Sequence, residues 1–300
     1  LIKNSKGYQL QGIDKCFFGK NNKSKNFSIK KKCISEIKFS EIKDINIIID
    51  LANISNDPSS ELSPNFTKNN NYIFKKKIIS KLNKSKKLER YIYVSSCSVF
   101  GFNKNFVSES SKKNPLSLYA KYCLETEKYL IKNLKKKFSI IRLGTLYGWS
   151  PRMRYDIAIN KILRDAFFSK RVEINGGKQF RFFCYNKLAV DIIYKLINSN
   201  HYNNIFNIGN INLNLNQLIK TISKNISYKK FQIISDQFNI DSRSYKVSNL
   251  KMKKFFPNIM RKYKVENTIK ETFNLIKKDK EPFSYKKVTL NIYKQMFKKK

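Results

Sequence analysis

Two hydrophobic patterns alternate along the first half of the chain: short apolar runs of strand length, and longer stretches whose apolar residues recur at helical spacing. The order strand, helix, strand, helix is typical of a parallel sheet with helices on both faces. The runs predicted as strands are residues 8–14, 45–52, 90–94 and 138–143, and the stretches predicted as helices are residues 67–86 and 118–134.

The pattern becomes less regular after Ser150, which predicts a second, smaller lobe interleaved with the sheet. The helices predicted there are residues 156–169, 213–226 and 265–277, and the strands are residues 172–174 and 206–208. The expected division assigns residues 1–150 and 183–212 to the sheet domain, and residues 151–182 and 213–300 to the lobe.

Small and polar residues cluster where the predicted strands end. The clusters are Asp14, residues 50–53, residues 95–98 and residues 144–145. Because ligands of parallel α/β sheets bind at the carboxyl ends of the strands, these clusters predict a binding crevice at one edge of the sheet.

The composition is that of a globular protein, with 41% apolar and 28% charged residues among 300. No apolar run approaches the roughly 18 residues of a membrane-spanning helix. The five cysteines are scattered and odd in number, and no two have CxxC spacing. This argues against a disulfide framework or a metal site and predicts a reducing, cytoplasmic location. His201 is the single histidine and lies in a polar, loop-like segment, so a Ser-His-Asp triad is not expected.

The formal net charge of +41 suggests a polyanionic partner. However, only 9 of the 62 basic residues are arginines, and the lysines are spread over the whole chain. A nucleic-acid site more often clusters arginine with aromatic residues. We therefore expect no specific nucleic-acid partner, and a polyanion-binding protein is the third of three functional hypotheses.

Short motifs occur in the order that a known family shows. Ser-Ser-Cys-Ser-Val-Phe-Gly stands at residues 95–101, Pro-Leu-Ser-Leu-Tyr at residues 115–119, and Arg-Leu-Gly-Thr-Leu-Tyr-Gly at residues 142–148. Further matches are residues 55–58, Asn71, and residues 151–154, 181–183, 206–209 and 241–245. Up to about residue 275, the chain resembles the extended short-chain dehydrogenase/reductases of the NAD-dependent epimerase/dehydratase type.

This resemblance implies a Rossmann-like, doubly wound parallel sheet that binds NAD. In such folds an acid at the end of the second strand, here Asp14, contacts the adenosine ribose about 20 residues after a glycine-rich turn, and it disfavours the 2′-phosphate of NADP. Only 13 residues precede Asp14, and none of the nine glycines forms a GxGxxG or GxxGxxG motif. The resemblance therefore places the first strand and the phosphate loop upstream of Leu1. The other implied cofactor contacts are Leu51, Ala52, Asn71, Tyr119 and Gly144.

The resemblance also implies a tyrosine base that takes a sugar hydroxyl proton while NAD takes hydride from the same carbon. Tyr119 stands at the position of this base, and Ser96 at that of its hydrogen-bonding partner. A free tyrosine has a pKa of about 10, so the base needs a nearby cation. The family has a lysine four residues later, where this chain has Cys123. Residues 97 and 98 are Cys and Ser rather than the acidic pair of dehydratases, which favours epimerisation or simple oxidation over water loss.

Five of the nine arginines fall within residues 152–181, although the chain otherwise prefers lysine. Arginine is the residue of choice for bidentate recognition of phosphate. The substrate contacts that the resemblance implies, including a clamp for a nucleotide-sugar diphosphate, are Thr145, Arg154, Asn160, Arg181 and Arg243.

The leading hypothesis is an NAD-dependent nucleotide-sugar epimerase or oxidoreductase that works through a keto-sugar intermediate. The second hypothesis is a catalytically impaired relative that keeps the fold and at most binds a nucleotide, as Cys123 and the absent glycine-rich motif suggest. The expected partner is a nucleotide sugar, with no membrane partner. The sequence leaves the oligomeric state open, a homodimer included.

Overall fold

The computed structural model describes residues 7–19, 27–227, 231–236 and 241–298. The strands are β1 Leu10–Asp14, β2 Phe27–Lys31, β3 Ile47–Asp50, β4 Arg90–Ser96, β5 Phe102–Val107, β6 Phe138–Leu143, β7 Thr145–Tyr147, β8 Arg171–Asn175, β9 Phe180–Tyr185, β10 Asn204–Ile208, β11 Ile211–Asn214, β12 Gln232–Asp236 and β13 Ser244–Val247. The helices are α1 Asp57–Glu61, α2 Pro64–Lys68, α3 Phe74–Leu82, α4 Leu118–Asn133, α5 Ala158–Arg164, α6 Asn186–Ile197, α7 Leu215–Asn225, α8 Leu250–Phe255, α9 Pro257–Lys262, α10 Val265–Ile276 and α11 Thr289–Lys298.

A parallel sheet in the order β10-β6-β4-β3 forms the centre of the described chain. Its two middle strands, β4 and β6, are almost completely buried, as is typical of strands covered on both faces, and their sequences are mainly apolar. Alternate residues of β4 point to opposite faces. Tyr91 and Tyr93 pack with α3 and α4 in one apolar cluster, whereas Ile92 packs with α6 in another.

β1 and β2 form a separate parallel pair, in which Leu10 lies beside Phe27 and Asp14 beside Lys31. Within the described ranges, neither strand forms a ladder with the central sheet. Ile13 of β1 nevertheless packs against the same apolar cluster as Ile48 of β3. The pair therefore lies next to the β3 side of the central sheet.

The later part of the chain adds three small sheets. β9 pairs in parallel with β7 and antiparallel with β11, β8 pairs with β12, and β5 pairs with β13. Side chains of β7, β8, β9 and β11 join those of α5, α6, α7 and α10 in the largest apolar cluster, which also covers one face of the central sheet. Val107 of β5 and Tyr245 and Val247 of β13 belong to a separate, smaller cluster. No helix in the described part of the chain has the length and apolar character needed to cross a bilayer.

The predicted α/β class with a Rossmann-like parallel sheet is confirmed. α4 begins at Leu118 as predicted, and β6 spans residues 138–143. The helix predicted over residues 67–86 is instead α2, a π-helical turn at Asn69–Ile73, and α3. Leu213 lies in β11 rather than in a helix. The elements that the pattern did not predict are β2, β5, β7, β9, β11, β12, β13, α1, α6, α8, α9 and α11. The two-domain division stays a prediction.

Candidate active site

The hydroxyl groups of Ser96 and Tyr119 lie together at the carboxyl end of β4. Ser96 is the last residue of β4, Tyr119 is the second residue of α4, and the phenol of Tyr119 faces the Ser96 side chain. Ser117 caps α4, with its Oγ accepting a hydrogen bond from the Ala120 N–H at 3.1 Å. The cap fixes the first turn of α4 and thereby holds Tyr119 against the strand end.

Burial determines the protonation state of the Tyr119 phenol. It raises the pKa of Tyr119 well above its usual value of 10, and Cys123 and Asp57 add to the rise, whereas the hydrogen bond from Ser96 opposes it. The phenol is therefore neutral at neutral pH. To act as a base, it needs a group that stabilises its anion.

Cys123 lies one helical turn after Tyr119 and is fully buried. Burial raises the pKa of its thiol to about 12, and the thiol faces the Tyr119 side chain. The thiol is therefore uncharged at neutral pH. The structure thus brings Ser96, Tyr119 and Cys123 side by side, while position 123 supplies no positive charge to the phenol.

A buried ion pair lies next to Ser96, Tyr119 and Cys123. Arg142 of β6 donates to Glu127 of α4 through Nη2 at 2.6 Å and through Nε at 3.0 and 3.2 Å, and Ser95 of β4 donates to the same carboxylate at 2.5 Å. The pair ties α4 to both central strands. Sequence reasoning missed Glu127, although it lies four residues after Cys123 and thus on the same face of the helix.

A second buried ion pair joins β3 to α3. Lys75 Nζ donates to Asp50 Oδ1 at 2.6 Å, Tyr91 donates to the other oxygen of Asp50 at 2.6 Å, and the Ala52 N–H donates to Oδ1 at 3.0 Å. Sequence reasoning did not assign a role to Lys75. A signal was present, because Lys75 falls on the apolar face of α3 three and four residues before Ile78 and Ile79.

Three of the predicted cofactor contacts lie at exposed strand ends. Asp14 closes β1, and Leu51 and Ala52 follow β3 with exposed side chains. Leu51 is an apolar side chain left 58% exposed at the predicted crevice. The exposed Asp14 carboxylate, which accepts from the Cys16 N–H through Oδ1, and the open apolar surface of Leu51 fit the ribose and ring parts of a dinucleotide. These 300 residues contain no glycine-rich turn that would bind the pyrophosphate of the dinucleotide.

Two other predicted cofactor contacts, Asn71 and Gly144, are engaged in close contacts within the protein. Asn71 is fully buried, and its amide accepts from the Ile54 N–H at 2.7 Å and donates to the Ile54 carbonyl at 3.3 Å. Gly144 lies so close to β9 that a Cβ there would stand 2.6 Å from the Phe182 carbonyl oxygen. Both residues therefore shape the strand ends, and their cofactor contacts stay predictions.

Five aromatic side chains pack together beside Asp14, and we call them the aromatic cluster: Phe17, Phe18, Phe66, Tyr293 and Phe297. Tyr293 of α11 lies with its ring centroid 5.6 Å from that of Phe18, and the Arg152 guanidinium stacks 3.8 Å from the centroid of Phe18. Burial raises the pKa of Tyr293 to about 12. Helix α11 thus packs against the loop that follows β1.

The predicted clamp residues Arg181 and Arg243 meet at one carboxylate. Arg181 lies 2.6 Å and Arg243 2.5 Å from Asp241 Oδ2, and Arg243 also pairs with Asp57 at the start of α1. Although burial opposes it, hydrogen bonding from Arg243 and the charge of Arg181 hold the pKa of Asp241 well below its usual range. The two guanidinium groups therefore lie close together and near the first turn of α1, where Ser60 Oγ accepts from the Tyr119 N–H at 3.1 Å.

Arg154 lies on the other side of the same turn. Its guanidinium binds Asp156 at 2.8 Å, and Asp156 accepts at 3.0 Å from Asn56, the cap of α1. Asn160 is buried and holds this loop by accepting from the Gly148 N–H and donating to the Arg154 carbonyl, both at 3.1 Å. Asn160 is therefore a loop-holding residue here. Thr145, the remaining predicted substrate contact, is the first residue of β7 and is paired with Phe183 of β9.

Comparison with known families agrees with this architecture. The model of the NAD dependent epimerase/dehydratase family matches residues 6–209. The chain belongs to this family.

The curated relatives are partial matches. An uncharacterised UDP-glucose epimerase of Bacillus subtilis is 32% identical over 119 residues, which are 38% of this chain and 37% of that protein. A dTDP-D-glucose 4,6-dehydratase of Dictyostelium discoideum is 29% identical over 234 residues, which are 69% of this chain and 53% of that protein. The chain thus spans about half or less of the length of these relatives.

Solved structures share the fold over almost the whole chain. The UDP-glucuronic acid 4-epimerase of Bacillus cereus, in complex with UDP-glucuronic acid and NAD, has a TM-score of 0.78 at 22% identity, covering 92% of this chain and 93% of that one. The dehydratase TunA, which acts on an NDP-hexosamine, has a TM-score of 0.79 at 17% identity, covering 91% of both chains. At these identities the likeness shows the fold alone.

Proposed function

We propose that this protein is an NAD-dependent nucleotide-sugar epimerase or oxidoreductase that works through a keto sugar. The observation that carries the proposal is the placement of Ser96 and Tyr119 side by side at the carboxyl edge of the parallel sheet. Family membership and the nucleotide-sugar epimerases among the relatives support it.

In the proposed reaction the Tyr119 phenolate takes the proton of a sugar hydroxyl, and Ser96 donates a hydrogen bond to the same oxygen. NAD, when bound, would supply the hydride acceptor. Loss of the proton and of a hydride from one carbon leaves a ketone. Return of the hydride to the opposite face, with return of the proton from Tyr119, gives the epimer.

Dehydration is the less favoured reaction for this chain. Removal of water needs a general acid and a general base beside the sugar. The two residues after Ser96 are Cys97 and Ser98, both buried and neither acidic. Burial also raises the pKa of the Cys97 thiol well above its usual value, so this thiol does not replace a carboxylate base.

Arg181 and Arg243 are the proposed contacts for the substrate diphosphate. Both already bind carboxylates, and a diphosphate offers the same oxygen geometry with more charge. The names of the curated relatives make UDP- and dTDP-linked sugars the first substrates to test.

The uncharged Cys123 thiol favours a second candidate, a relative that binds nucleotides without turnover. The test is to incubate the protein with NAD and with UDP-, dTDP- or GDP-sugars, and to separate the products by chromatography. A Tyr119→Phe variant serves as the matched control. Epimer formation by the wild type alone supports the enzyme. Binding of NAD and nucleotide sugar without turnover supports the second candidate, and absence of both rejects both proposals.

A further inference from the structure

The four side chains that meet at the proposed diphosphate clamp have no net charge together. Arg181 and Arg243 are both held by Asp241. Arg243 is also held by Asp57, so two guanidinium groups face two carboxylates. A diphosphate that binds to these arginines has to compete with the carboxylates for N–H groups. Binding is therefore easiest if one carboxylate leaves the clamp, and the contacts of the two carboxylates show which one that is.

Asp241 is the carboxylate that is held more firmly. It accepts from Arg243 Nε at 2.9 Å and from Nη2 at 2.5 Å, and Arg181 lies 2.6 Å from its Oδ2. The Arg243 backbone N–H also donates to Asp241 Oδ1 at 3.0 Å. Asp57 has a single contact with Arg243, through Nη1. Displacement of Asp57 from the clamp therefore breaks one contact, whereas displacement of Asp241 would break all four of its contacts.

Asp57 also has a second partner, to which it stays bound when it leaves Arg243. Its other oxygen, Oδ1, accepts from the hydroxyl group of Ser117, the cap of α4. The Asp57 side chain is 18% exposed, so water also reaches it. A carboxylate that has lost its arginine partner is a stronger acceptor for a hydroxyl group. Displacement of Asp57 from Arg243 therefore strengthens its bond to Ser117.

That hydroxyl bond is one of several contacts that hold the first turn of α4 on α1. Ser60 Oγ accepts from the Tyr119 N–H at 3.1 Å, and Glu61 Oε1 accepts from the Leu118 N–H at 2.8 Å. With the serine cap, these contacts bind the N–H groups of the first three residues of α4, which a helix cannot bind internally. Because Tyr119 lies in this turn, a change in the bonding of Asp57 reaches the proposed base.

We propose that Asp57 is a positioning residue that occupies Arg243 until a substrate diphosphate replaces it: the diphosphate takes the Nη1 group, and Asp57 keeps its bond to Ser117. The inference rests on the proposed function, because it takes Arg243 as a diphosphate contact. Before binding, Asp57 holds Arg243 in the clamp. After binding, Asp57 acts only on the turn that carries Tyr119, so an occupied clamp holds the proposed base more firmly.

The test measures the affinity for UDP, which has a diphosphate and no sugar, by calorimetric titration. The variants are Asp57→Asn, Ser117→Ala and the double variant. Asp57→Asn removes the charge that holds Arg243 and keeps an oxygen for Ser117. The fold should be retained, since Arg243 stays paired with Asp241. Ser59→Ala is the matched control, because it removes a buried α1 hydroxyl without a hydrogen-bond partner among the described residues.

Asp57→Asn is expected to tighten UDP binding by about 3- to 10-fold, because the diphosphate no longer competes with a carboxylate or faces its charge. Ser117→Ala is expected to weaken UDP binding by about 2- to 5-fold, since the displaced Asp57 then has only water as a partner. In the double variant, the change at Ser117 should have no effect, because no carboxylate is displaced. Ser59→Ala should bind UDP as the wild type does.

The inference is overturned if Asp57→Asn weakens UDP binding or leaves it unchanged, as a purely structural role of Asp57 predicts. It is also overturned if Ser117→Ala weakens binding equally with and without the Asp57 carboxylate. If Ser117→Ala does not fold, the result for Asp57→Asn is decisive by itself.

The proposed function can fail separately. Tighter UDP binding by Asp57→Asn, in a protein that turns over no nucleotide sugar, would reject the reaction and keep the exchange at Arg243. Turnover by a wild type whose UDP affinity does not respond to Asp57→Asn would do the opposite. A wild type that does not bind UDP would reject both the exchange and the diphosphate clamp.

Discussion

The carboxyl ends of β4 and β1 hold the two halves of the candidate site, and they are built differently. At β4, Ser96 and Tyr119 stand above the buried Arg142–Glu127 pair, and the surrounding side chains are enclosed. At β1, Asp14 is exposed and its surroundings are a loop and the aromatic cluster. The half proposed for proton transfer is therefore enclosed by the central sheet and its helices, whereas the half proposed for the adenosine lies at the end of the separate β1–β2 pair, beside the aromatic cluster.

This difference matches the demands of the two tasks. Proton transfer requires donor and acceptor within a few tenths of an ångström of their places, so residues locked by buried polar contacts suit it. A ribose contact tolerates more movement. The difference predicts that changes at the β4 end have the larger effects.

Tyr119→Phe is expected to produce the largest effect, a roughly 100- to 10,000-fold loss of turnover, because the phenol oxygen is the proposed proton acceptor. The fold should be retained, since the ring stays in place. Steady-state kinetics against Tyr122→Phe, a tyrosine on the same helix, checks this. A loss in both variants, or in neither, would remove Tyr119 from its role.

Arg142→Met tests whether the β4 end depends on its buried ion pair. The change leaves the Glu127 carboxylate buried without its partner and should destabilise the protein by about 3–5 kcal/mol. Urea unfolding measures the loss. Arg142→Met/Glu127→Gln removes both charges and should regain most of the stability. If the single and double variants lost the same unfolding free energy, the unpaired charge of Glu127 would not be the cause of the destabilisation.

Arg243→Gln tests the proposed diphosphate clamp. Loss of charged hydrogen bonds should weaken nucleotide-sugar binding by about 10- to 100-fold. Calorimetric titration with UDP-sugars provides the measurement, and Arg171→Gln, an exposed arginine of β8, is the matched control. Unchanged affinity would place the clamp elsewhere.

The pairing of Asp241 with Arg181 and Arg243 makes the unfolding free energy depend on pH in the acidic range. Because its pKa is lowered in the folded state, Asp241 contributes stability above its unfolded pKa of about 4, and this contribution is lost as the pH falls through the folded value. The unfolding free energies of wild type and Asp241→Asn should therefore differ at neutral pH and converge in strong acid. A constant difference at every pH would argue against the pairing.

Asp14→Asn is expected to have the smallest effect, since Asp14 is exposed at the more loosely held end. Loss of the carboxylate should weaken NAD binding by about 2- to 10-fold and narrow the preference for NAD over NADP. Fluorescence titration with both nucleotides is the measurement. If Asp14→Asn lowered the affinity for NAD by as large a factor as Tyr119→Phe lowers turnover, the expectation of larger effects at the β4 end would be wrong.

Periodicity predicted the elements of the central sheet because each is continuous in sequence. It did not predict β9 and α6, where Phe180–Tyr185 leads directly into Asn186–Ile197 without a turn signal. Motif order predicted Ser96 and Tyr119 in one site, and both lie at the carboxyl end of β4, while their roles stay predictions. Spacing alone could not reveal that Lys75 meets Asp50, because that contact joins a helix to a strand 25 residues earlier.

Transient reduction of bound nicotinamide tests the central claim most directly. The protein with NAD is mixed rapidly with a nucleotide sugar, and the near-ultraviolet absorbance of reduced nicotinamide is followed. We expect the signal to rise in the wild type and to be absent in Tyr119→Phe under the same binding conditions. Saturated binding of NAD and sugar without any rise, or the same rise in both proteins, would contradict proton removal by Tyr119.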